Sequence, residues 1–312
     1  MSENTEHRCG YVGIVGRPNV GKSTLLNQLL GEKVSITSSK AQTTRNRVIG
    51  LLNTDEVQAV LVDTPGFHKA WSSLNKALAR EVEATLLEVD AICLIVDLVP
   101  AIKAARHDKP VLSKAEQALL ERCKQAKVPV VLGLNKADLV EKDWILPVIE
   151  AWKDLHPFAA IVPLSALKNQ GTEDLVAALT ALLPEGPPLF PKDQLMDSTE
   201  RFVVSEIIRE KLFHNLSQEL PYSVAVVIDR FREDEETGRV EIVASILVER
   251  SSQKGIVIGK GGQMLKRVGT AARKDIMKLL ACRVRLDLHV KVQKDWTQNP
   301  RILRELGLST ES

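Results

Sequence analysis

Hydrophobic positions follow two different periods through the first 180 residues. Short apolar runs such as "GYVGIVG" (10–16), "AVLVD" (59–63), "DAICLIVD" (90–97), "VPVVLGLN" (128–135) and "AAIVPLSA" (159–166) read as buried strands. Between them, apolar residues return every three or four positions. That spacing predicts helices over "KSTLLNQLLG", closed by Gly31, and near 72–88, 113–126, 143–154 and 172–183. "RVIGLLN" and "VQAVLVD" predict a strand pair turned at Asn53-Thr54-Asp55. Strands alternating with helices predict βαβ units and a mostly parallel sheet flanked by helices.

The texture then changes. "LLPEGPPLFPKDQ" carries four prolines, cannot continue a helix and reads as a linker. Beyond it a helix is predicted over 198–220, with Val204, Ile207, Ile208 and Leu212 on one face. Two strands follow, "YSVAVVIDRF" and "RVEIVASILVER", joined by a charged turn ending in Thr237-Gly238. A glycine-rich turn, a helix over 263–280 and the strand "RVRLDLHVKVQ" close the domain. In that strand Val284, Leu286, Leu288, Val290 and Val292 share a face. The predicted organisation is an α/β domain over 8–183, a Pro-rich linker over 184–197 and an α+β domain of order α-β-β-α-α-β over 198–308.

Composition excludes several classes. No run approaches the length of a membrane span, and "MSENTEHRCG" lacks the apolar core of a signal peptide. Cys9, Cys93, Cys123 and Cys282 lie far apart and read as reduced thiols of a cytoplasmic protein. Net charge is +2, but twelve Lys or Arg stand against two Asp between Arg250 and Lys294. That asymmetry points to an anionic partner for the second domain.

The chemistry is concentrated at strand ends. Gly16-x4-Gly21-Lys22-Ser23 follows a strand and opens a helix, the context a P-loop demands. Its glycines let backbone N–H groups wrap a β-phosphate, Lys22 reaches the β- and γ-phosphates, and Ser23 offers a hydroxyl to Mg²⁺. Val20 and Thr24 belong to the same site. Asp63-Thr64-Pro65-Gly66 ends the next strand: Asp63 is expected to hold Mg²⁺ through water and the Gly66 N–H to meet the γ-phosphate. "NKAD" ends another strand. The Asp138 carboxylate only accepts hydrogen bonds, so it suits the two donors on the guanine edge and repels the acceptor of adenine, which argues against an ATPase. Lys136 lays its stem over the base, Asn135 ties this loop to the phosphate loop, and Ser165-Ala166 completes the pocket through backbone N–H groups. The hydroxyl-rich "EKVSITSSKAQTTRNRV" reads as a switch loop, with Thr43 or Thr44 reaching Mg²⁺ and the γ-phosphate, Thr44 favoured.

GRPNVGKS, QTTR, DTPG, NKAD and SAL in this order resemble the TrmE–Era–EngA class of small GTPases. The resemblance covers about residues 8–308, and the second half narrows it to the type that carries a C-terminal type II KH domain. It implies GTP hydrolysis with GTP/GDP and Mg²⁺. Phe67 stands where Ras-like enzymes place the glutamine that orients water. In relatives a P-loop asparagine, here Asn19, helps bind K⁺ in place of an arginine finger.

Gly259-Lys260-Gly261-Gly262 opens the helix 263–280, whose Leu265, Val268, Ala272, Ile276 and Leu279 form an apolar stripe. Lys266, Arg267, Arg273 and Lys274 lie off that stripe. In KH modules such a turn clamps a nucleotide backbone, and nearby cations add salt-dependent attraction. The resemblance implies the RNA and the setting: the 3′ end of 16S ribosomal RNA during 30S subunit maturation, a monomer in the cytoplasm, with peripheral association at the inner membrane left open. Two other readings remain at this stage, an RNA-binding scaffold with a structural nucleotide site and a tRNA-modifying GTPase of the same class.

Overall fold

The computed structural model describes residues 7–37, 45–67, 73–107, 109–216, 220–234, 236 and 238–306. They form two compact units, the first mostly from residues up to Asp197 and the second mostly from Ser198 onward.

In the first unit the order is β1 (Arg8–Gly16), α1 (Lys22–Leu30), β2 (Val48–Asn53), β3 (Val57–Asp63), α2 (Ser73–Glu88), β4 (Ala91–Asp97), α3 (Leu98–Ala105), α4 (Lys114–Ala126), β5 (Val130–Asn135), α5 (Ile145–Lys153), β6 (Ala160–Pro163) and α6 (Thr172–Thr180). The strands lie in the order β2-β3-β1-β4-β5-β6. All neighbours are parallel except the β2–β3 pair, whose register sets Asn53 against Gln58. Strands β4 and β5 are buried along nearly their whole length, which is why their sequences run apolar without alternation. On one side, Leu119 and Leu120 of α4 and Val148 and Trp152 of α5 pack with Ile92, Leu94, Leu132 and Leu134 of the sheet. From β1 the later strands lie β3 to one side and β4 to the other. The C-terminal end of β1 is therefore the topological switch point, where open α/β sheets bind ligands.

Helix α3 has no counterpart in the sequence reading. Its N-cap is Asp97, whose Oδ1 accepts from the Val99 N–H at 2.9 Å, and Pro100 sits in the first turn, where a missing N–H costs nothing.

The segment 184–197, read as a linker, is tied along the sheet. The Cys9 N–H donates to Pro184 O at 3.0 Å, the Leu51 N–H to Leu195 O at 2.9 Å and the Asp197 N–H to Ile49 O at 3.2 Å. Gln58, 1% exposed, is the hub of this strap. Its Oε1 accepts from the N–H groups of Leu189 and Phe190 at 2.7 and 2.9 Å, and its Nε2 donates to Phe190 O at 2.8 Å. The prolines forbid a regular strand, so side chains supply bonds that a ladder would otherwise make. The strap also covers the open edge at β2.

The second unit runs α7 (Glu200–Asn215), β7 (Ala225–Asp234), β8 (Arg239–Val248), α8 (Ser251–Ile258), α9 (Gln263–Leu280), β9 (Arg283–Val292) and α10 (Pro300–Glu305). Strand β8 is antiparallel to β7 and parallel to β9. Val204, Ile207, Ile208 and Leu212 of α7 and Val268, Ala272 and Ile276 of α9 are buried. The stripe on α9 is shorter than expected, because Leu279 is 37% exposed and Leu265 half-buried. Val292, at the end of β9, is likewise 37% exposed. Both residues lie at element ends, where side chains have fewer neighbours to pack against.

Candidate nucleotide and RNA sites

Four segments meet at the C-terminal end of the parallel sheet. The loop between β1 and α1 needs glycine for reasons internal to the protein. A Cβ on Gly16 would stand 2.5 Å from Ile95 O, and one on Gly21, at φ 103°, would collide with Asn135 Nδ2. Asn19 also adopts a left-handed conformation, at φ 63°. Lys22 is buried and donates to Gly16 O at 3.2 Å and Arg17 O at 3.1 Å. Burial pulls its pKa down to about 8, with Asp63 opposing the shift. Val20 is buried, and Thr24 lies half-buried one residue beyond Ser23 on α1.

Asp63, fully buried at the end of β3, accepts on one oxygen, Oδ2, from Ser23 Oγ at 2.7 Å and Ser35 Oγ at 3.1 Å. Ser35 is held by Asn27, whose Oδ1 accepts from the Ser35 N–H at 2.8 Å and whose Nδ2 donates to Ser35 O at 2.7 Å. Neither Ser35 nor Asn27 was singled out from the sequence; a serine in a hydroxyl-rich loop and an asparagine within a helix carry no distinctive signal. Two hydroxyls converging on one carboxylate oxygen form an all-oxygen set suited to a hard divalent cation. Among the described residues no three His, Cys, Asp or Glu cluster as a metal site, so a cation here relies on such hydroxyls and on water.

Beyond Asp63 the chain turns against the phosphate loop. A Cβ on Gly66 would lie 2.7 Å from Pro18 Cα, and the Phe67 N–H donates to Gly16 O at 3.0 Å. The Phe67 ring is 8% exposed and sits in the core beneath the Arg122 guanidinium, 4.6 Å from its centroid. It therefore offers nothing to an attacking water. Thr43 and Thr44 lie outside the described residues.

In the third segment Asn135 joins three loops. Its Nδ2 donates to Val20 O at 2.7 Å, and its Oδ1 accepts from the Ala166 N–H at 2.9 Å. Lys136, at φ 68°, places its ammonium 2.6 Å from Asp97 Oδ2. Asp97 was not singled out either: it closes an apolar strand as Asp63 does, but it lacks the DxxG motif that marked Asp63. Asp138 is exposed in a short 3₁₀ turn. The Ser165 and Ala166 N–H groups differ from the expected base donors. The Ser165 N–H donates to Gln170 O at 2.9 Å and the Ala166 N–H to Asn135, because a Ser165–Gln170 bridge closes their loop.

In the second unit the turn before α9 is left-handed at three glycines, with φ of 73° at Gly259, 59° at Gly261 and 76° at Gly262. A Cβ on Gly259 would meet Met264 Cβ at 2.6 Å, whereas Gly261 and Gly262 face open space and need glycine for their torsions alone. Lys260, Lys266, Arg267, Arg273 and Lys274 are all exposed.

A phosphate-loop motif and an Asn-Lys-Ala-Asp turn at the strand ends of one sheet mark the first unit as a P-loop GTPase, and the second unit is a KH module. Family models agree: one described as "50S ribosome-binding GTPase" matches residues 11–136, and one described as "KH domain" matches residues 219–297. The chain is 49% identical to GTPase Era of Geotalea uraniireducens, over 97% of this chain and 98% of that one. It is 48% identical to GTPase Era of Geobacter metallireducens, over 98% and 99%. A crystal structure of Era in complex with MgGDPNP and nucleotides 1506–1542 of 16S ribosomal RNA superposes with a TM-score of 0.90 at 38% identity, covering 96% of this chain and 99% of that one. An Aquifex aeolicus Era variant bound to GDP and AlF₄⁻ gives 0.89 at the same identity and coverage. The chain belongs to the Era family and is a GTPase.

Proposed function

We propose that this protein is a GTP-driven switch that binds the 3′ end of 16S ribosomal RNA through its KH domain and assists maturation of the 30S subunit. The observation that carries the reading is the match, over nearly the whole of both chains, to an Era solved with a GTP analogue and that RNA. The exposed glycine turn and the cations along α9 supply the local chemistry.

In this reading Lys22 neutralises the β- and γ-phosphates as they displace the carbonyls it now contacts. Asp138 reads the guanine edge, and Lys136 covers the face of the base. Ser23, Asp63 and Thr44 would hold Mg²⁺, which when bound neutralises charge between the phosphates. The Gly66 N–H meets the γ-phosphate, a contact that exists only before hydrolysis, so its loop reports the nucleotide state. With the Phe67 ring buried, we assign Asn19 to a K⁺ ion that supports turnover. GTP hydrolysis should be faster in KCl than in NaCl, and Asn19→Ala should erase the difference.

Among the described residues no helix is long and apolar enough to cross a membrane. Our reading places the protein in the cytoplasm as a monomer, with peripheral contact at most to the membrane.

The test is binding of a fluorescent RNA with the sequence of the 16S 3′ end. Wild type should bind it in preference to a scrambled RNA, and Lys260→Asp combined with Gly261→Asp should lose that binding while GTP hydrolysis continues. Equal binding of both RNAs would remove the assignment of this target.

A further inference from the structure

The KH domain has a second concentration of cations, which shares Arg273 with the set along α9 and lies at the far end of that helix from the glycine turn. Arg239, Arg273, Arg283 and Arg285, with the apolar Met277 and Leu286, line a pocket of about 390 Å³. The fold itself brings these arginines together. Arg239 and Arg283 are the first residues of β8 and β9 and stand directly opposite each other in the parallel ladder. Ala281, at φ 49°, turns the chain sharply out of α9, so that the start of β9 returns beside the end of that helix. Arg273 then donates from Nε to Val284 O at 2.8 Å, fixing its guanidinium on the strand.

Charge in this pocket is only partly compensated. Arg285 faces Glu241 at 3.6 Å and Asp287 at 3.3 Å. Arg239 and Arg283 form no ion pair among the described residues. Like charges directly opposite one another weaken a sheet. Asp234 is the cross-strand partner of Arg239 in the β7–β8 ladder but forms no ion pair with it among the described residues, so both arginines keep their forks for an anion from outside. The guanidinium fork suits the oxygens of a phosphate.

Helix α9 runs from the glycine turn to the pocket, which Arg273 and Met277 of that helix line. A Cβ on Gly269 would stand 3.4 Å from Leu288 Cδ1, and Arg273 bonds Val284, so α9 and β9 run antiparallel along one another. Arg273 lies about 16 Å along the helix axis from Gly262. A strand clamped at residues 259–262 and laid along α9 therefore arrives at the arginines after the stretch of roughly four nucleotides that a GxxG turn holds.

We propose that Arg239, Arg273, Arg283 and Arg285 form a second phosphodiester site, which takes backbone phosphates of the same RNA strand beyond the nucleotides held at the glycine turn. The proposal rests on the reading that this domain binds single-stranded RNA. It adds length and salt dependence to that binding, without reading sequence.

The experiment compares wild type with the double variant Arg239→Gln/Arg283→Gln, using the full chain and fluorescence anisotropy across a salt series. Two RNAs share their sequence at the glycine turn, one of about four and one of about twelve nucleotides. Wild type should bind the longer RNA more tightly and with a steeper salt slope. On that RNA the variant should lose roughly fivefold in affinity and about 1.4 in slope, the share of two phosphate contacts to a single strand. The short RNA should bind both proteins alike, and inorganic phosphate at the same ionic strength should not reproduce the variant's loss in wild type. The melting temperature should not fall, because a like-charge pair has been removed. Equal losses on both RNAs would show a general field instead of a seat, and no loss on the longer one would overturn the site; either result leaves RNA binding itself intact. Failure of wild type to bind either RNA would overturn the RNA reading together with this proposal.

Discussion

At the scale of single residues, the buried Lys22 ammonium waits for an anion that two carbonyl oxygens replace only poorly. Its pKa near 8 lies below the usual 10.5, so the folded protein without nucleotide disfavours the charged form. For this group alone, stability is reduced below pH 8 and recovers as pH rises toward 10.5. Phosphates reverse that preference, since they favour the ammonium. GDP binding should therefore take up protons above pH 8, and affinity should weaken by up to about tenfold per pH unit between there and the ordinary lysine range. Calorimetry in buffers of different ionisation enthalpy measures the uptake directly. It should be large at pH 8.5 and near zero at pH 6.5; no uptake at either pH would refute the shift. Asp97 leads to a second expectation. Its carboxylate holds Lys136, whose stem covers the base in our reading, at 2.6 Å, and both side chains are partly buried. Asp97→Asn should weaken GTP and GDP about equally, by roughly tenfold for a lost charge-assisted bond, and leave kcat unchanged. Stopped-flow release of a fluorescent GDP reads the change. A drop in kcat with unaltered release would mean that Asp97 acts elsewhere.

Elements show where sequence is informative and where it is not. The central strands were legible because two buried faces demand unbroken apolar runs, as in "DAICLIVD" and "VVLGL". The phosphate-loop motif, Asp63 and the Asn135–Asp138 turn stand at the ends of β1, β3 and β5, where the sequence places them, because each motif directly follows an unbroken apolar run. Helix α3 was not, because Pro100 in its first turn looks like a break, while the Asp97 cap that starts the helix depends on where the preceding strand stops. The strap over 184–197 was not, because nothing in a Pro-rich sequence says that a distant glutamine will bind it. Ser165 and Ala166 were placed correctly at a strand end, but their N–H groups answer to Gln170 and Asn135, partners fixed by the loop's own closure. From the strap comes a prediction at this scale. Gln58→Leu removes bonds to Leu189, Phe190 and Asn53 and leaves their partly buried polar groups unpaired. The first unit should lose about 2–3 kcal/mol in urea unfolding. Limited proteolysis should also cleave within 184–197 earlier than in wild type. A variant as stable and as resistant as wild type would show that the prolines alone hold the strap.

Across the whole molecule, two separately cored units carry unlike chemistry, a phosphate-loop site on a parallel sheet and a cationic helix face, which in our reading takes RNA, on a three-stranded one. In our reading that face is the stretch 250–294, which has ten more positive than negative side chains in a chain whose net charge is +2, so attraction for a polyanion is concentrated there. A switch needs more than two sites. The GTP-bound protein must bind RNA with a different free energy from the GDP-bound one, and thermodynamic linkage makes the relation reciprocal. If a non-hydrolysable GTP analogue tightens RNA relative to GDP by some factor, saturating RNA must tighten the analogue relative to GDP by that same factor. A coupling of about 1.4 kcal/mol would appear as tenfold in both directions. Measuring both sides, RNA anisotropy with each nucleotide and nucleotide affinity with and without RNA, closes the cycle. Equal factors above one establish the switch. Identical RNA affinities in the two nucleotide states would dismiss it, leaving a GTPase and an RNA-binding module that share a chain without informing each other. Unequal factors would mean that a change in stoichiometry, such as dimer formation, accompanies one of the two binding steps.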